Sequence, residues 1–188
     1  MMAIQQLQAT DPIELSRMRR RHLRGVLKIE RQVYPRPWSH SVFANELQAP
    51  PDQRFYVVAR YNAKVVGYGG LMASLDATDG SKSAHITNIA VDPGVHRMKL
   101  GTCLMIELFR VAREWQSVSV TLEVRHTNTA AHALYHRFGF LQEGVRKRYY
   151  ENTDDAYIMW ARNIDQPAFD TRVRSLAQDI PATLWVTP

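Results

Sequence analysis

The sequence has few devices for holding a fold together other than a packed core. Its single cysteine, Cys103, excludes an internal disulfide and any cysteine-rich zinc site. Cys103 sits in the apolar run Thr102-Cys103-Leu104-Met105-Ile106, where a small buried hydrophobe is expected rather than a nucleophile. No apolar run reaches the ~18 residues of a membrane helix, and the longest, residues 65–73, is interrupted by glycines. An apolar signal core is also missing from the first residues, so the expectation is a cytoplasmic protein with no membrane partner. There is no internal repeat. Hydrophobic residues make up 45% and charged residues 22% of the 188, which is ordinary globular usage and argues against disorder. What the chain has in excess is positive charge: 24 Lys and Arg against 18 Asp and Glu, a net +6. A surplus of that sign suits a polyanionic partner such as nucleic acid or a phosphate-rich cofactor.

Periodicity predicts an α/β domain over residues 13–162, preceded by an extension, 1–12, and followed by a tail, 163–188, with one short helix at most. Residues 13–18 alternate as a strand. Leu23, Val26, Leu27, Glu30 and Val33 recur at helical spacing until Pro35 and Pro37, and Ser39 caps a second short helix carrying Phe43 and Leu47. Residues 54–60 and 64–72 read as a hairpin. A strand over 84–91, a turn at Asp92-Pro93-Gly94, a helix opening at Gly101 and a strand over 118–124 make a crossover unit, which requires parallel strands. A helix over 129–138 ends at Gly139, and two strands, 140–149 and 156–161, close the domain.

Between Val91 and Gly101 the chain sets a turn, unsatisfied backbone N–H groups and basic side chains at a helix start. This is anion-binding chemistry, because first-turn N–H groups have no internal acceptor and the helix dipole is positive there. Taken alone, the segment suits either a phosphate site or an ordinary surface loop.

The neighbouring motifs carry a resemblance. Asn88-Ile89-Ala90-Val91-Asp92-Pro93, the helix from Gly101, Leu122-Glu123-Val124-Arg125, Asn128, Ala133-Leu134-Tyr135, Gly139-Phe140 and Arg148-Tyr149-Tyr150 together resemble the GNAT acetyltransferase superfamily. Within it they are most similar to the ribosomal-protein-alanine N-acetyltransferase branch, which Pro37-Trp38-Ser39 and Ala156-Tyr157-Ile158-Met159 also match. The resemblance implies a mixed central sheet of about seven strands with four helices and a splayed parallel strand pair. It implies acetyl-CoA as cosubstrate, no metal, and a protein N-terminus, ribosomal by preference, as acceptor. The pyrophosphate loop falls on His96-Arg97-Met98-Lys99-Leu100-Gly101, with Thr102 following. Only its last glycine fits the family pattern: His96 stands where Arg or Gln is usual, and Lys99 where Gly is. A left-handed backbone at Lys99 would cost ~1–2 kcal/mol, while the Lys99 and Arg97 side chains could instead pair with phosphate.

By the same resemblance Glu123 is the general base and Tyr135 the general acid that protonates the sulfur. Ile89, Ala90 and Val91 hold the pantetheine arm as an added strand, Asn128 contributes to the cofactor site, and Trp38, Phe43, Tyr149 and Tyr150 line the acceptor side. Strand alternation puts Thr121, Glu123 and Arg125 on one face. An α-amine of pKa ~8 is about one-tenth neutral at pH 7, whereas a lysine amine is over a hundredfold scarcer as free base, a difference of roughly 3 kcal/mol. An N-terminal amine therefore needs less activation.

His132 and His136 stand four apart on a helix, but no third metal ligand accompanies them. Arg17, Arg19, Arg20, Arg21, Arg24, Lys28 and Arg31 form a dense basic cluster, read either as a solvated face or as a contact for RNA or an acidic partner. The alternative function is a weakly active or inactive domain of this fold that senses coenzyme A or docks on ribosomal RNA.

Overall fold

The structure, a computed structural model, describes residues 13–95 and 98–180. His96 and Arg97, the extension 1–12 and residues 181–188 of the tail lie outside the described residues. The elements in chain order are β1 (Glu14–Arg17), α1 (Leu23–Val33), α2 (His40–Glu46), β2 (Arg54–Tyr61), β3 (Lys64–Leu75), β4 (Lys82–Val91), α3 (Leu100–Glu114), β5 (Ser119–Arg125), α4 (Thr129–Arg137), β6 (Leu141–Tyr150), β7 (Asp154–Arg162) and α5 (Pro167–Gln178). Seven strands form one sheet in the order β1-β2-β3-β4-β5-β7-β6. Every neighbouring pair is antiparallel except β4 and β5, as expected for strands joined through a helix.

Strand alternation splits the core into two layers. Phe55, Val57 and Ala59 of β2 face a cluster with α3, α4 and α5, while Tyr56 and Val58 face a second cluster with α1 and α2. The helices are amphipathic to match. In α3, Leu100, Cys103, Leu104, Leu108 and Val111 are buried along one stripe, and burial pushes the Cys103 thiol up to about 12, so it acts as a hydrophobe. The cap expected at Ser39 is present, its hydroxyl accepting the Val42 N–H at 3.3 Å. Beyond the expected boundary at Arg162 the core continues. Ile164, Phe169, Leu176 and Ile180 are buried, the Phe169 ring lies 4.7 Å from Phe109, and Arg113 pairs with Asp170. Residues 163–180 therefore pack against the same core, and α5 is the helix allowed for in the tail.

The sheet opens in its middle. The parallel ladder between β4 and β5 holds only three pairs, Ser83 with Ser119, Ala84 with Val120 and His85 with Thr121. From Ile86 to Ala90, β4 has no strand on that side among the described residues. The cause lies across the opposite edge, where Gly70 of β3 pairs with Asn88 and Leu71 pairs with Ile86, leaving Thr87 as an extra residue. Such a bulge bends its strand and increases the local twist, and here it turns β4 away from β5. Gly70 permits this crowding, since a Cβ there would stand 2.3 Å from Tyr56 Cε1, 2.5 Å from Thr87 Oγ1 and 2.7 Å from Asn88 Oδ1. Gly70→Ala is therefore expected to destabilise the fold by about 1–3 kcal/mol through overpacking. Urea unfolding of the variant beside the parent protein measures the loss.

Candidate active site

The opening between β4 and β5 gathers polar side chains from several elements. Glu123 of β5 is mostly buried, with 12% of its side chain exposed, and its carboxylate is held from two sides. His85 Nε2 lies 3.2 Å from Oε2, and Arg146 Nη2 of β6 lies 3.2 Å from Oε1. Burial lowers the His85 pKa from its ordinary value, and the Glu123 carboxylate only partly opposes this. The imidazole is therefore neutral at pH 7, with Nε2 facing the carboxylate. The ladder explains the meeting: His85 pairs with Thr121, and Glu123 lies two residues further along the same face.

Three phenols converge beside this carboxylate. Tyr34, just after α1, donates its hydroxyl to the Ile89 carbonyl of β4 at 2.9 Å, and Tyr150 donates to the Glu123 carbonyl at 3.3 Å. Tyr135 of α4 is 6% exposed. Burial raises all three pKa values: Tyr135 feels Tyr150 next, Tyr34 feels Tyr135 and Glu30, and Tyr150 is pushed up to about 12 with Tyr149 and Glu123 contributing. Each phenol thus keeps its proton through the neutral range and can donate it in a hydrogen bond.

At the far end of β4 the chain turns through Pro93–Val95 to the head of α3. Lys99 is the N-cap residue, exposed, with φ 58° and ψ 12°. This is the left-handed backbone that glycine adopts most easily. The first helical bond runs from Cys103 N–H to the Lys99 carbonyl at 3.0 Å, so the N–H groups of Leu100, Gly101 and Thr102 have no acceptor within the helix. They are suited to an anion.

The other wall is braced by Glu30. Its carboxylate, 2% exposed, accepts the Trp38 N–H at 2.9 Å and the Tyr68 hydroxyl, which ties the α1–α2 turn to the sheet. Trp38 packs on Phe43 with ring centroids 5.2 Å apart, and Phe43 in turn meets Tyr56 and Tyr68 edge-on. On the β6–β7 hairpin, Arg125 pairs with Glu151 at 2.6 Å and with Asp154, and its guanidinium sits 4.5 Å from the Tyr150 ring centroid.

The family described as Acetyltransferase (GNAT) matches this sequence over residues 23–140. The chain belongs to the GNAT acetyltransferase family. A relative named putative ribosomal protein bS18-alanine N-acetyltransferase, from Bacillus subtilis, is 33% identical over 144 residues, which is 76% of this chain and 91% of that protein. The N-alpha-acetyltransferase RimI of Mycobacterium tuberculosis is 34% identical over 153 residues, 80% of this chain and 92% of its own. Among solved structures, the ribosomal-protein-S18-alanine N-acetyltransferase from Escherichia coli superposes with a TM-score of 0.67 at 27% identity, covering 80% of this chain and 94% of that one.

Within this GNAT domain, Glu123, Tyr135 and Tyr150 come together at the opening, with Ile89 and Ala90 on its β4 edge. Met98, Lys99, Leu100, Gly101 and Thr102 form the turn and first turn of α3, where Thr102 is buried and its hydroxyl lies 3.5 Å from Arg137 Nη1. Asn128 caps α4, its side chain accepting the Ala131 N–H at 3.1 Å. Phe43 is corrected: it is fully buried and supports Trp38 from behind instead of lining the acceptor side. Tyr149 is 48% exposed and edge-on to Tyr150. The ring nitrogens of His132 and His136 contact the Arg125 and Phe140 carbonyls. Sequence reasoning missed His85, Tyr34, Glu30 and Arg146. The strand alternation that sets Glu123 on one face with Thr121 and Arg125 also applies to His85, but only the ladder register brings the two together.

Burial raises the Glu30 pKa to about 7 from its ordinary 4.5, despite the opposing Trp38 N–H. The folded state therefore holds a proton that the unfolded chain releases, and stability falls as pH rises from about 4.5 to 7 and stays lower above that. The melting temperature of the parent protein is expected to drop between about pH 5 and pH 8. Glu30→Gln, which keeps an acceptor for Trp38, should flatten that part of the profile.

Proposed function

We propose that this chain moves an acetyl group from acetyl-CoA to the α-amine of a protein N-terminus, with the N-terminal alanine of a ribosomal protein as the leading acceptor. The observation that carries the reading is the Glu123 carboxylate, set by His85 and Arg146 on one flank of the β4–β5 opening, with the buried Tyr135 phenol near Tyr34 and Tyr150. The relatives named as acting on the alanine of bS18 support the choice of acceptor. The setting proposed is cytoplasmic; among the described residues no helix is long and apolar enough to cross a membrane. The catalytic domain is proposed to run from residue 13 to residue 180, because α5 shares its core.

The residues present fit the cosubstrate. The β4 edge from Ile86 to Ala90 offers backbone groups to an extended amide arm, and the first turn of α3 offers N–H groups to a pyrophosphate. In this reading Ile89, Ala90 and Val91 hold the arm, Met98 to Thr102 hold the phosphates together with His96 and Arg97 of the same loop, and Asn128 closes the site. Acetyl-CoA supplies an activated acyl group. Glu123 takes the proton from the incoming amine, directly or through one water, with His85 and Arg146 each 3.2 Å from its oxygens. Tyr135 keeps its proton until the sulfur departs and then donates to it. Trp38, Tyr34, Tyr149 and Tyr150 flank the acceptor. A single carboxylate already engaged by a guanidinium suits an amine that is partly neutral at working pH, as an α-amine is and a lysine is not.

Glu123→Gln and Tyr135→Phe are each expected to lower kcat by about 10²–10⁴-fold while leaving acetyl-CoA affinity nearly unchanged, as read by thiol release and by calorimetric titration. Mass spectrometry of a proteome incubated with the protein and labelled acetyl-CoA should find the label on N-terminal amines. Label confined to lysine side chains overturns the acceptor assignment. No thiol release with any N-terminal peptide would leave the non-catalytic reading.

A further inference from the structure

The charge of this protein is concentrated in one segment. Residues 17–36 hold eight of its 24 basic residues, Arg17, Arg19, Arg20, Arg21, Arg24, Lys28, Arg31 and Arg36, and one acid, Glu30. The remaining chain has 16 basic and 17 acidic residues, so the whole surplus lies here. All eight cations are exposed and Glu30 is buried. None of the eight forms an ion pair among the described residues; Arg21 meets the neutral acceptor His22, and Arg17 lies 6.0 Å from the Phe55 ring centroid. Nearby Arg60 is already neutralised by Glu14 at 2.5 Å.

The fold turns this segment into a line. Leu23, Val26, Leu27, Ile29 and Glu30 face the sheet, which leaves Arg24, Lys28 and Arg31, spaced four and three residues apart, along the outer face of α1. Arg20 and Arg21 continue the row one turn earlier. α1 is about 16 Å long at 1.5 Å per residue, and the row ends three residues before Tyr34, at the acceptor side of the opening.

From this placement we infer that the outer face of α1, with the turn before it, docks on the phosphate backbone of helical RNA and sets the acceptor opening beside it. The inference rests on the ribosomal acceptor proposed above. Guanidinium groups predominate, seven to one, and they pair with phosphate oxygens in a bidentate fork. The row has no aromatic side chain on which unstacked bases could rest, which favours a duplex backbone over a single strand. The exposed large apolar residues of this segment reduce to Val33, at 38%, so the row lacks the aromatic and aliphatic centre of a protein interface.

Fluorescence anisotropy of the full chain with a labelled RNA hairpin of about 20 base pairs, across a salt series, tests the inference directly. Binding should weaken steeply with salt. The triple variant Arg24→Gln, Lys28→Gln, Arg31→Gln, with glutamines chosen because they preserve an exposed helix, should lower the slope of log K against log salt by about 3 and the affinity at least tenfold. The same variant should acetylate a short N-terminal peptide at the parent rate without RNA, which separates this inference from the proposed reaction. Absence of RNA binding, or equal binding by the variant, overturns the docking surface. Tighter binding of poly-glutamate than of RNA at equal charge concentration also overturns it and identifies an acidic protein contact instead.

Discussion

The bulge at Thr87 is the constraint on which the rest of this molecule depends. A strand in the middle of a sheet ordinarily satisfies its backbone on both sides, and leaving one side open is costly unless another group takes its place. Here the extra residue bends β4 while Gly70 leaves room for the bend, and the parallel ladder stops after His85. Around the resulting gap Tyr34 takes the Ile89 carbonyl, α4 brings Tyr135 near Tyr34 and Tyr150, and the first turn of α3 presents N–H groups.

The electrostatics around the gap follow one pattern. The phenol expected to give a proton is held neutral by burial, and the carboxylate expected to take one lies between His85 and Arg146. Burial holds the phenols neutral and lowers the His85 pKa, so the imidazole orients Glu123 without adding a second positive charge to that of Arg146. Lys99 keeps a left-handed backbone that glycine would adopt more easily, so the turn retains its geometry despite a strained residue whose charge faces solvent.

How much of this was legible in the sequence depends on the range of the interaction involved. Local signals served well: the prolines after Val33, the Ser39 cap, Gly139 after α4 and the strand-helix-strand lengths from 84 to 124 all reflect preferences of a few neighbouring residues. Glu123 and Tyr135 stood out only through family resemblance, since a lone strand carboxylate and a helical tyrosine usually have structural roles. His85 was missed because its meeting with Glu123 depends on parallel register, which tertiary packing sets. Glu30 blended into the helical stripe of α1, and nothing in its spacing shows that it accepts the Trp38 N–H. The bulge itself leaves no mark in composition. The part the tail plays in the core escapes the sequence because weak periodicity and nearby prolines hide Ile164, Phe169, Leu176 and Ile180, of which Phe169 and Leu176 lie on α5.

Arg125 has a wider consequence. It follows Glu123 by two residues on β5, yet its guanidinium clasps Glu151 and Asp154 at the hairpin tip and covers the Tyr150 ring. The strand that bears the carboxylate and the hairpin beside the acceptor are thereby fastened into one mechanical unit. In the function proposed here, acceptor recognition and proton removal are geared together, so a hairpin grafted from a cousin with different tastes would arrive out of alignment unless its own β5 came with it. Lineages that change acceptors should therefore inherit both pieces as a matched set.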